Sequence, residues 1–404
     1  IIYQINPEIL AMGALPSIER LLTDDSIEEI MYNSPDQPIK IIHREHHMID
    51  TNVNMNLSEA REYSINIAVM NRKYLTEASP VMDGSLPDGS RINITIPPAT
   101  STITFTIRKF SHNVITVLDM INQGMIDAKA GAFLWTAVEG LGYHAANILV
   151  VGGTSSGKTT FLNGLSILIP LHERIITIED TPEIRILHEN KVPMFSSKNP
   201  GATMDDLLKN ALRMRPDRII VGEVRGEEAK TLFSAMNTGH NGCMGTIHAT
   251  SARETVTRIK NPPLNVPISM LSDLDLLVVM EKISEKRTVS EITEIEVLSG
   301  NQPSFNQIYK YDPKKSLTLP TGIPSKLRTK IAQKAGLDIK SFDKIIEDRE
   351  NILSIASKKH KLTNSLSTSD VFMLIDKNKD HWKKYKGRKR LGILKRKEEE
   401  LIDW

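Results

Sequence analysis

Residues Asn147 to Leu168 read NILVVGGTSSGKTTFLNGLSIL, and this stretch decides the fold of the chain. The apolar run from Ile148 to Val151 predicts a buried strand. The turn that follows has the pattern G-x-x-x-x-G-K-[ST], which is typical of a phosphate-binding loop between a strand and a helix. Its glycines let successive backbone N–H groups curl around an anion, at the positive N-terminal end of the next helix.

Each residue of this loop has a predicted contact with a nucleotide. Lys158 is predicted to lie against the β- and γ-phosphates, and the Thr159 hydroxyl to hold Mg²⁺. The predicted nucleotide-binding set is Gly152, Gly153, Thr154, Ser155, Ser156, Gly157, Lys158, Thr159 and Thr160.

The composition indicates a globular chain of more than one domain. Its 404 residues are enough for two domains and an appendage. The single cysteine, Cys243, excludes an internal disulfide and a cysteine-based zinc site, and it suits a reducing compartment. The apolar runs are shorter than the roughly 18 residues that a membrane span needs. No secretory signal is visible, and because the chain begins at Ile1 rather than Met we expect a leading segment to be missing.

Residues 1–110 predict an α+β domain. The spacing of apolar residues predicts a helix over residues 58–70, with Ser58 as its N-cap. Two runs that alternate with period two, residues 91–96 and 102–109, are separated by a short connection that contains proline. This arrangement predicts a β-hairpin.

The predicted hairpin has one unusual pair at its open end. When the apolar residues of the two strands face one another, Ile94 lies opposite Phe105 and Arg91 lies directly opposite Arg108. Like charges across a strand pair are unfavourable. We therefore expect an anion between the two guanidinium groups, which suit phosphate oxygens because they can form two hydrogen bonds at once.

A polar linker is predicted at residues 111–116, and the following residues, 117–312, alternate between strands and helices. Such alternation indicates a parallel sheet. One predicted strand is followed by Glu179-Asp180-Thr181-Pro182-Glu183, and another ends at Glu223. Parallel sheets place their chemistry at these strand ends. A carboxylate at a strand end or a single histidine after a strand also occurs for structural reasons, so the order of these segments after the phosphate loop is the informative feature.

Three segments closely resemble the secretion-ATPase superfamily. They are TIEDTPEI (Thr177 to Ile184), ALRMRPDRIIVGEVRG (Ala211 to Gly226) and GHNGCMGTIHA (Gly239 to Ala249), which are similar in order and spacing to the Asp box, Walker B motif and His box of that family. The family powers type II secretion, type IV pili, type IV secretion and the archaeal motility filament. The Glu-Val-Arg-Gly run after Gly222 resembles the archaeal and DNA-transfer branches. Residues 309–312 and 327–350 look like the archaeal archaellum and pilus motors.

This resemblance implies an α/β fold in which a RecA-like P-loop NTPase domain, residues 117–312, follows a PAS-like N-terminal domain. It also implies a homo-hexamer that hydrolyses ATP with Mg²⁺, is cytoplasmic and peripheral to the inner face of the cell membrane, and moves a polytopic membrane platform protein.

The family's site residues carry over one by one. Glu183 matches the residue that positions or deprotonates the attacking water, and Glu223 the residue that supports Mg²⁺ through water. His248, with His240, matches the residues that sense the γ-phosphate. Further predicted contacts of the nucleotide are Arg225, Arg91 and Arg108.

Residues 313–404 predict a helical, basic C-terminal extension. The segment from His381 to Lys397 contains nine lysines and arginines, interleaved with Trp382 and Tyr385. A solvated face, docking on an anionic membrane surface and nonspecific binding of nucleic acid are the alternatives for this segment. No recognition fold for a specific nucleic acid accompanies the basic residues.

The sequence as a whole predicts a motor ATPase that drives assembly of an archaellum or a type IV pilus-like filament. The alternatives are a DNA-transfer ATPase of the same superfamily, a scaffold that binds nucleotide without turnover, and a kinase. The presence of Glu183, Glu223 and His248 argues against the scaffold, which needs none of them. Nothing beyond the loop resembles the acceptor-binding lid of a kinase.

Overall fold

The computed structural model describes residues 2–10, 12–109, 114–197, 202–283, 286–298, 302–363 and 366–385. The chain divides into two compact units, residues 1–113 and 114–404. Each unit has its own sheet and its own hydrophobic core. The first three positions of the predicted linker at 111–116 lie outside the described residues.

The first unit contains a mixed sheet covered by helices. Over its described residues the strand order is β1-β4-β3-β2-β7-β6-β5, and neighbouring strands are antiparallel except for β1 and β4. The elements in chain order are β1 (Ile2–Tyr3), α1 (Pro7–Leu10), α2 (Ala14–Thr23), β2 (Ile27–Tyr32), β3 (Lys40–His43), β4 (His47–Thr51), α3 (Leu57–Met70), β5 (Val81–Ser85), β6 (Arg91–Thr95) and β7 (Thr104–Arg108).

The register of the hairpin β6–β7 confirms the prediction. Ile94 pairs with Phe105, and Arg91 pairs with Arg108. Strand β2 lies on the other side of β7, however, and places Glu29 opposite Arg108. This neighbouring carboxylate could not be seen from the hairpin alone. Because opposite charges on adjacent strands attract, the arginine pair does not require a bound anion to be tolerated.

The cap of helix α3 differs from the prediction. Asn56, not Ser58, is the N-cap residue, and its side chain accepts a hydrogen bond from the Glu59 N–H. The Glu59 carboxylate in turn accepts from the Asn56 N–H, which completes a capping box. The N-cap therefore lies two residues earlier than predicted, and Leu57 is in the first turn of the helix.

The second unit is a sheet of parallel and antiparallel strands with helices on both faces. Its elements in chain order are α4 (Val117–Asn122), α5 (Ala128–Glu139), β8 (Ile148–Gly152), α6 (Lys158–Ser166), β9 (Ile175–Glu179), β10 (Lys191–Phe195), α7 (Met204–Ala211), β11 (Arg218–Val221), α8 (Glu228–Asn237), β12 (Met244–Ile247), α9 (Ala252–Lys260), β13 (Leu276–Ile283), β14 (Lys286–Leu298), β15 (Gln302–Asp312), β16 (Leu317–Pro320), α10 (Lys326–Ala335), α11 (Ile339–Thr363) and α12 (Thr368–Asn378), with short 3-10 segments at Gly140–Gly142, Ile268–Asp273 and His381–Tyr385.

The strand order of this sheet explains where the phosphate loop lies. Among the described residues it is β10-β9-β11-β12-β8-β13-β14-β15-β16, parallel from β10 to β13 and antiparallel beyond. The strand that leads into the loop, β8, is thus buried inside the sheet and reads as a continuous apolar run. The carboxyl ends of β9, β11 and β12 lie at the same edge of the sheet as the loop.

Side chains of β8 alternate between two cores. Ile148 and Val150 belong to the core that α4, α5, α6 and the C-terminal helices cover. Leu149 and Val151 belong to the core beneath α7, α8 and α9. All four are fully buried, and burying each such side chain stabilises the fold by about 1.5–3 kcal/mol.

The C-terminal segment is part of this unit. Residues 317–320, within the region predicted to be helical, form β16 at the edge of the sheet. The first helix of the segment starts only at Lys326. Helix α11 then packs along α5, and Phe342 and Leu353 are fully buried in the same core as the phosphate-loop helix.

The basic segment is described only up to Tyr385, and its remaining basic residues from Lys386 onwards lie outside the described residues. Trp382 and Tyr385 are buried. Lys384 forms an ion pair with Asp348 on α11, and Lys383 pairs with Asp380. None of the helices in the described part of the chain is both long and apolar enough for a membrane crossing.

Candidate functional site

The phosphate loop joins β8 to α6, as its sequence pattern predicts. Gly157, the residue before the first turn of α6, has a φ of 90°, a left-handed conformation that favours glycine. No side chain caps the N-terminus of this helix. The N–H groups of its first turn are therefore available to an anion, and the helix dipole favours negative charge there.

Lys158 lies at the centre of the candidate site. The ammonium Nζ donates a hydrogen bond of 2.8 Å to the carbonyl of Gly153, which closes the loop on itself. The same nitrogen lies 3.4 Å from Nε2 of His248. Only 8% of the residue is exposed, and burial lowers the pKa of the Lys158 ammonium. The charges of Glu223 and Glu183 act in the opposite direction.

Glu223 connects His248 to Arg225. Its Oε1 lies 3.3 Å from Nε2 of His248, and its Oε2 accepts a short hydrogen bond from the Arg225 guanidinium. Burial alone raises the pKa of Glu223, but the hydrogen bond and charge of Arg225, with the charges of His248 and Lys158, outweigh it and lower the pKa. The carboxylate form is therefore the stable one at this position.

The surroundings of His248 favour its neutral form. Burial is the largest cause that lowers the pKa of His248, and the neighbouring Lys158 charge adds to it, while Glu223 opposes both. A neutral ring can accept a hydrogen bond at one nitrogen and donate one at the other. The residue thus has the chemistry to contact a phosphate oxygen without adding a full charge.

The turn that carries Glu223 and Arg225 is fixed by two hydrogen-bonding side chains. The buried carboxylate of Glu228 accepts from the N–H groups of Arg225 and Gly226, at 2.6 and 2.8 Å. The Thr246 hydroxyl donates to the carbonyl of Gly222 at 2.6 Å. The orientation of Glu223 relative to the loop is thereby set by β12 and α8.

The carboxylates at the end of β9 and just beyond it have different surroundings. Glu179 is buried, and its Oε1 accepts from the N–H groups of Glu183 and Ile184, both at 2.8 Å. Burial raises the pKa of Glu179 to about 7, although these two hydrogen bonds lower it. Asp180 forms an ion pair with Arg225 at 3.1 Å.

The backbone at Glu183 is connected to helix α6, which follows the phosphate loop. The Asn163 side chain, on α6, donates to the Glu183 carbonyl at 3.0 Å and accepts from the Arg185 N–H at 2.8 Å. The negative charge of Glu183 acts to raise the pKa of both Lys158 and Arg225. The fold therefore brings Glu183 to the cluster that contains Lys158, Glu223, Arg225 and His248.

His240 is not part of this cluster. It precedes β12, whereas His248 follows it, so the strand separates the two histidines along its length. Because β12 and β8 are parallel, His240 lies at the edge of the sheet opposite the phosphate loop. The structure therefore does not bring His240 to the phosphate loop of the same chain, since four strand residues at about 3.3 Å each separate the edges.

The remaining predicted residues fall into two groups. Thr154 and Ser155 are exposed on the loop, and Thr159 and Thr160 are half-buried in the first turn of α6. Arg91 and Arg108 belong to the first unit, where Arg91 is half-buried and Arg108 is exposed.

The donor set at the loop fits Mg²⁺. Thr159 offers a hydroxyl at the start of α6, and Glu223 offers a carboxylate that its surroundings keep ionised. Mg²⁺ is commonly bound by one or two such oxygen ligands together with substrate phosphates and water. Glu223 contacts Arg225 and His248 in this structure.

Sequence reasoning missed three residues that position the site. Glu179 and Asn163 hold the backbone of Glu183, and Glu228 holds the turn after Glu223. The available signal for Glu179 was its place as the last residue of an apolar strand. Asn163 and Glu228 have no comparable signal, because both lie on helices at positions where polar residues are common.

Comparison with known proteins identifies a family whose model matches most of this chain. The model of the family described as "Type II/IV secretion system protein" matches residues 13–361. An uncharacterized protein of Methanocaldococcus jannaschii is 49% identical over 243 residues, which cover 58% of this chain and 34% of that protein. The chain thus spans about a third of this relative's length.

Two further proteins resemble the chain over most of their own length. The probable conjugal transfer protein TrbB of Sinorhizobium fredii is 32% identical over 291 residues, which cover 68% of this chain and 85% of TrbB. The solved structure of the ATPase DotB from Legionella pneumophila has a TM-score of 0.50 at 16% identity, and the match covers 93% of this chain and 98% of DotB. At this identity the structural likeness concerns the mixed α/β fold alone.

Proposed function

Because this chain belongs to the type II/IV secretion system protein family, we propose that it is a motor ATPase of that family. The observation that carries the proposal is the meeting of Lys158, Glu223 and His248 beside an uncapped helix N-terminus at the carboxyl edge of a parallel sheet. Parallel sheets bind their ligands at this edge. We further propose that residues 114–404 form a RecA-like motor domain and residues 1–113 a PAS-like domain.

Binding of ATP would begin at the loop. The N–H groups of the loop and of the first turn of α6 bind the phosphates, and Lys158 exchanges the Gly153 carbonyl for the β- and γ-phosphate oxygens. Lys158 is buried, so its charge acts through a medium of reduced dielectric and offsets phosphate charge more strongly than in water. Thr159 and Glu223 would hold Mg²⁺, which neutralises charge that develops on the phosphates during transfer.

Hydrolysis requires a base for the attacking water. We assign this role to Glu183, whose backbone is held from both sides by Glu179 and Asn163. Fixing the backbone positions the carboxylate before the substrate arrives, which reduces the entropy cost of the step. His248 would donate a hydrogen bond from a ring N–H to an oxygen of the terminal phosphate.

The finer function that we propose is assembly of an archaellum or a type IV pilus-like filament by a ring of six copies. It would act in the cytoplasm, at the inner face of the membrane, on a membrane platform protein. The resemblance of residues 309–312 and 327–350 to the archaeal archaellum and pilus motors supports this branch. The identity to TrbB, a probable conjugal transfer protein, supports DNA transfer as the second candidate function.

The proposed ATPase activity is tested by phosphate release from purified protein with ATP and Mg²⁺. We expect Lys158→Ala to lose hydrolysis and to weaken ATP binding, because the buried ammonium is the charge nearest the phosphates. Lys209→Ala is the matched control, since Lys209 is exposed and pairs with Asp205 on its own helix. Wild-type turnover by Lys158→Ala would contradict the proposal. Nucleotide binding without phosphate release by the wild type would instead favour a scaffold.

The branch of the family is tested by affinity purification of the full chain from membranes. We expect a polytopic membrane protein of a filament system to be retained with the wild type in the presence of ATP. Retention of proteins of a DNA-transfer apparatus would favour the second candidate.

A further inference from the structure

The hairpin formed by β13 and β14 runs alongside the phosphate loop. Met280 of β13 pairs with Gly152, the last residue of β8, and the strand then continues to Ile283, beyond the end of β8. Strand β14 returns from Lys286 and pairs Arg287 with Lys282. The end of this hairpin therefore lies at the same edge of the sheet as the loop.

Arg287 touches the loop at Gly157. A Cβ atom placed on Gly157 would lie 2.9 Å from Cδ of Arg287 and within 3.8 Å of its Cγ and Cβ. The aliphatic part of the arginine thus packs directly on the glycine that precedes the phosphate-loop lysine. The residue is exposed, so its guanidinium, beyond Cδ, is accessible at the entrance of the loop.

The backbone next to Arg287 is firmly held. The Thr288 hydroxyl and the Val289 N–H both donate to the carbonyl of Met125, at 3.2 and 3.0 Å. Thr288 and Val289 are buried. Arg287 therefore extends from a backbone that its neighbours hold in place.

The charges at this place favour an anion. The Cδ atom of Arg287, to which the guanidinium is attached, contacts Gly157, the residue that precedes the positive N-terminal end of α6. An arginine beside a helix N-terminus adds a full positive charge to that of the helix dipole, and together they attract an anion. A phosphate-loop backbone holds the α- and β-phosphates of a nucleotide, and an arginine can form two hydrogen bonds with phosphate oxygens.

We propose that Arg287 is a nucleotide-binding residue whose guanidinium contacts the α- and β-phosphates held by the loop, an inference that rests on the proposed ATPase function. Because ATP and ADP share these phosphates, the contact stabilises both nucleotides equally. Arg287 is therefore a determinant of affinity for the diphosphate product as well as for the substrate.

The test measures dissociation constants of fluorescent ATP and ADP analogues for the full chain. We expect Arg287→Ala to weaken both nucleotides about tenfold, which is the size of one charge-assisted hydrogen-bonded contact. Arg287→Lys keeps the charge without the paired hydrogen bonds and should give a smaller loss. Lys286→Ala is the matched control, because it removes the same charge one residue away, on the opposite face of β14, and should change affinity by no more than about twofold.

The outcomes separate this inference from the proposed function. Loss of binding in Lys158→Ala together with wild-type affinity in Arg287→Ala overturns the role of Arg287 and leaves the loop assignment intact. Equal weakening by Lys286→Ala and Arg287→Ala also overturns it, since the effect would then be one of general charge. A wild-type chain that binds neither nucleotide overturns both proposals.

Discussion

Replacing Arg349 with Met should destabilise the second unit strongly, because it leaves a buried carboxylate without its partner. Arg349, on α11, and Glu139, on α5, are 3% and 5% exposed, and they form an ion pair. The guanidinium also donates to the Thr136 hydroxyl at 2.9 Å and lies 4.5 Å from the centre of the Trp135 ring. Breaking one side of a buried pair of this kind costs about 3–5 kcal/mol.

The expected loss depends on pH. Burial raises the pKa of Glu139, and the charge of Arg349 is the main factor that opposes the rise. Without Arg349 the pKa of Glu139 in the folded protein rises further above its unfolded value. The folded state then binds a proton that the unfolded state has released, so stability falls as pH increases through this range. Arg349→Met should therefore be more destabilising at about pH 8 than at about pH 5.

Urea denaturation followed by circular dichroism measures this effect. Arg328→Met is the matched control, because Arg328, on α10, is half-buried and forms an ion pair with Asp343 on α11 that is far more accessible to water than the Arg349–Glu139 pair, so its loss should cost less. The double variant Glu139→Leu/Arg349→Met should recover most of the loss, since it removes both charges. A loss for Arg349→Met no larger than for Arg328→Met at pH 8, or no recovery in the double variant, would refute the reasoning.

Three further predictions concern the proposed activity. Glu183→Gln should keep ATP binding but reduce turnover by about 10²–10⁴-fold, because an amide cannot accept the proton of water. If Glu223→Gln alone traps bound ATP and Glu183→Gln hydrolyses normally in a phosphate-release assay, the two roles are reversed. Arg91→Ala and Arg108→Ala should each greatly reduce turnover while circular dichroism remains unchanged. Hexamers of both variants that hydrolyse ATP at the wild-type rate would show that the hairpin is only structural. Deletion of residues 386–404 should weaken binding to anionic vesicles at low salt without changing ATPase activity, since each basic residue near such a surface contributes about 1 kcal/mol. Equal vesicle binding with and without this segment would exclude a docking role.

The spacing of apolar residues predicted those parts of the fold that depend on residues close together in the sequence. The period-two alternation of residues 91–96 and 102–109 sets which side chains share a face, and this is enough to place Arg91 opposite Arg108. The alternation does not show that strand β2 pairs with β7, so the position of Glu29 beside Arg108 was not predictable. Similarly, the cap of α3 was misplaced at Ser58 because Leu57 was taken to lie outside the helix.

In the C-terminal segment, the position of strand β16 and the burial of helix α11 depend on tertiary packing. Strand β16 has four residues and ends at Pro320, a length that carries almost no periodic signal. The charged composition of α11 predicts a helix with a solvated face, yet Arg349 on this helix is buried against α5. Which helix covers which face of a sheet depends on contacts between residues more than 200 positions apart in the sequence.

The candidate site was predictable where a motif fixes both the residue and its place. The phosphate loop and Lys158 are of this kind. The motif after β9 contains Glu179, Asp180 and Glu183, and sequence alone cannot assign roles among carboxylates so close together. The structure distinguishes them, because Glu179 is buried and accepts a hydrogen bond from the Glu183 N–H, whereas Asp180 pairs with Arg225.

Both edges of the large sheet have consequences for how copies of the chain can associate. In the part of the chain that the structure describes, the edge strands are β10 and β16, and they contain Pro193 and Pro320. A proline has no N–H group, so each of these edge strands has one residue that cannot donate a hydrogen bond to a strand from another copy. In the ring of copies that we propose, this favours contacts through side chains and loops over a continuous sheet. Neighbouring subunits could then rotate or slide against each other during a catalytic cycle without breaking backbone hydrogen bonds between strands.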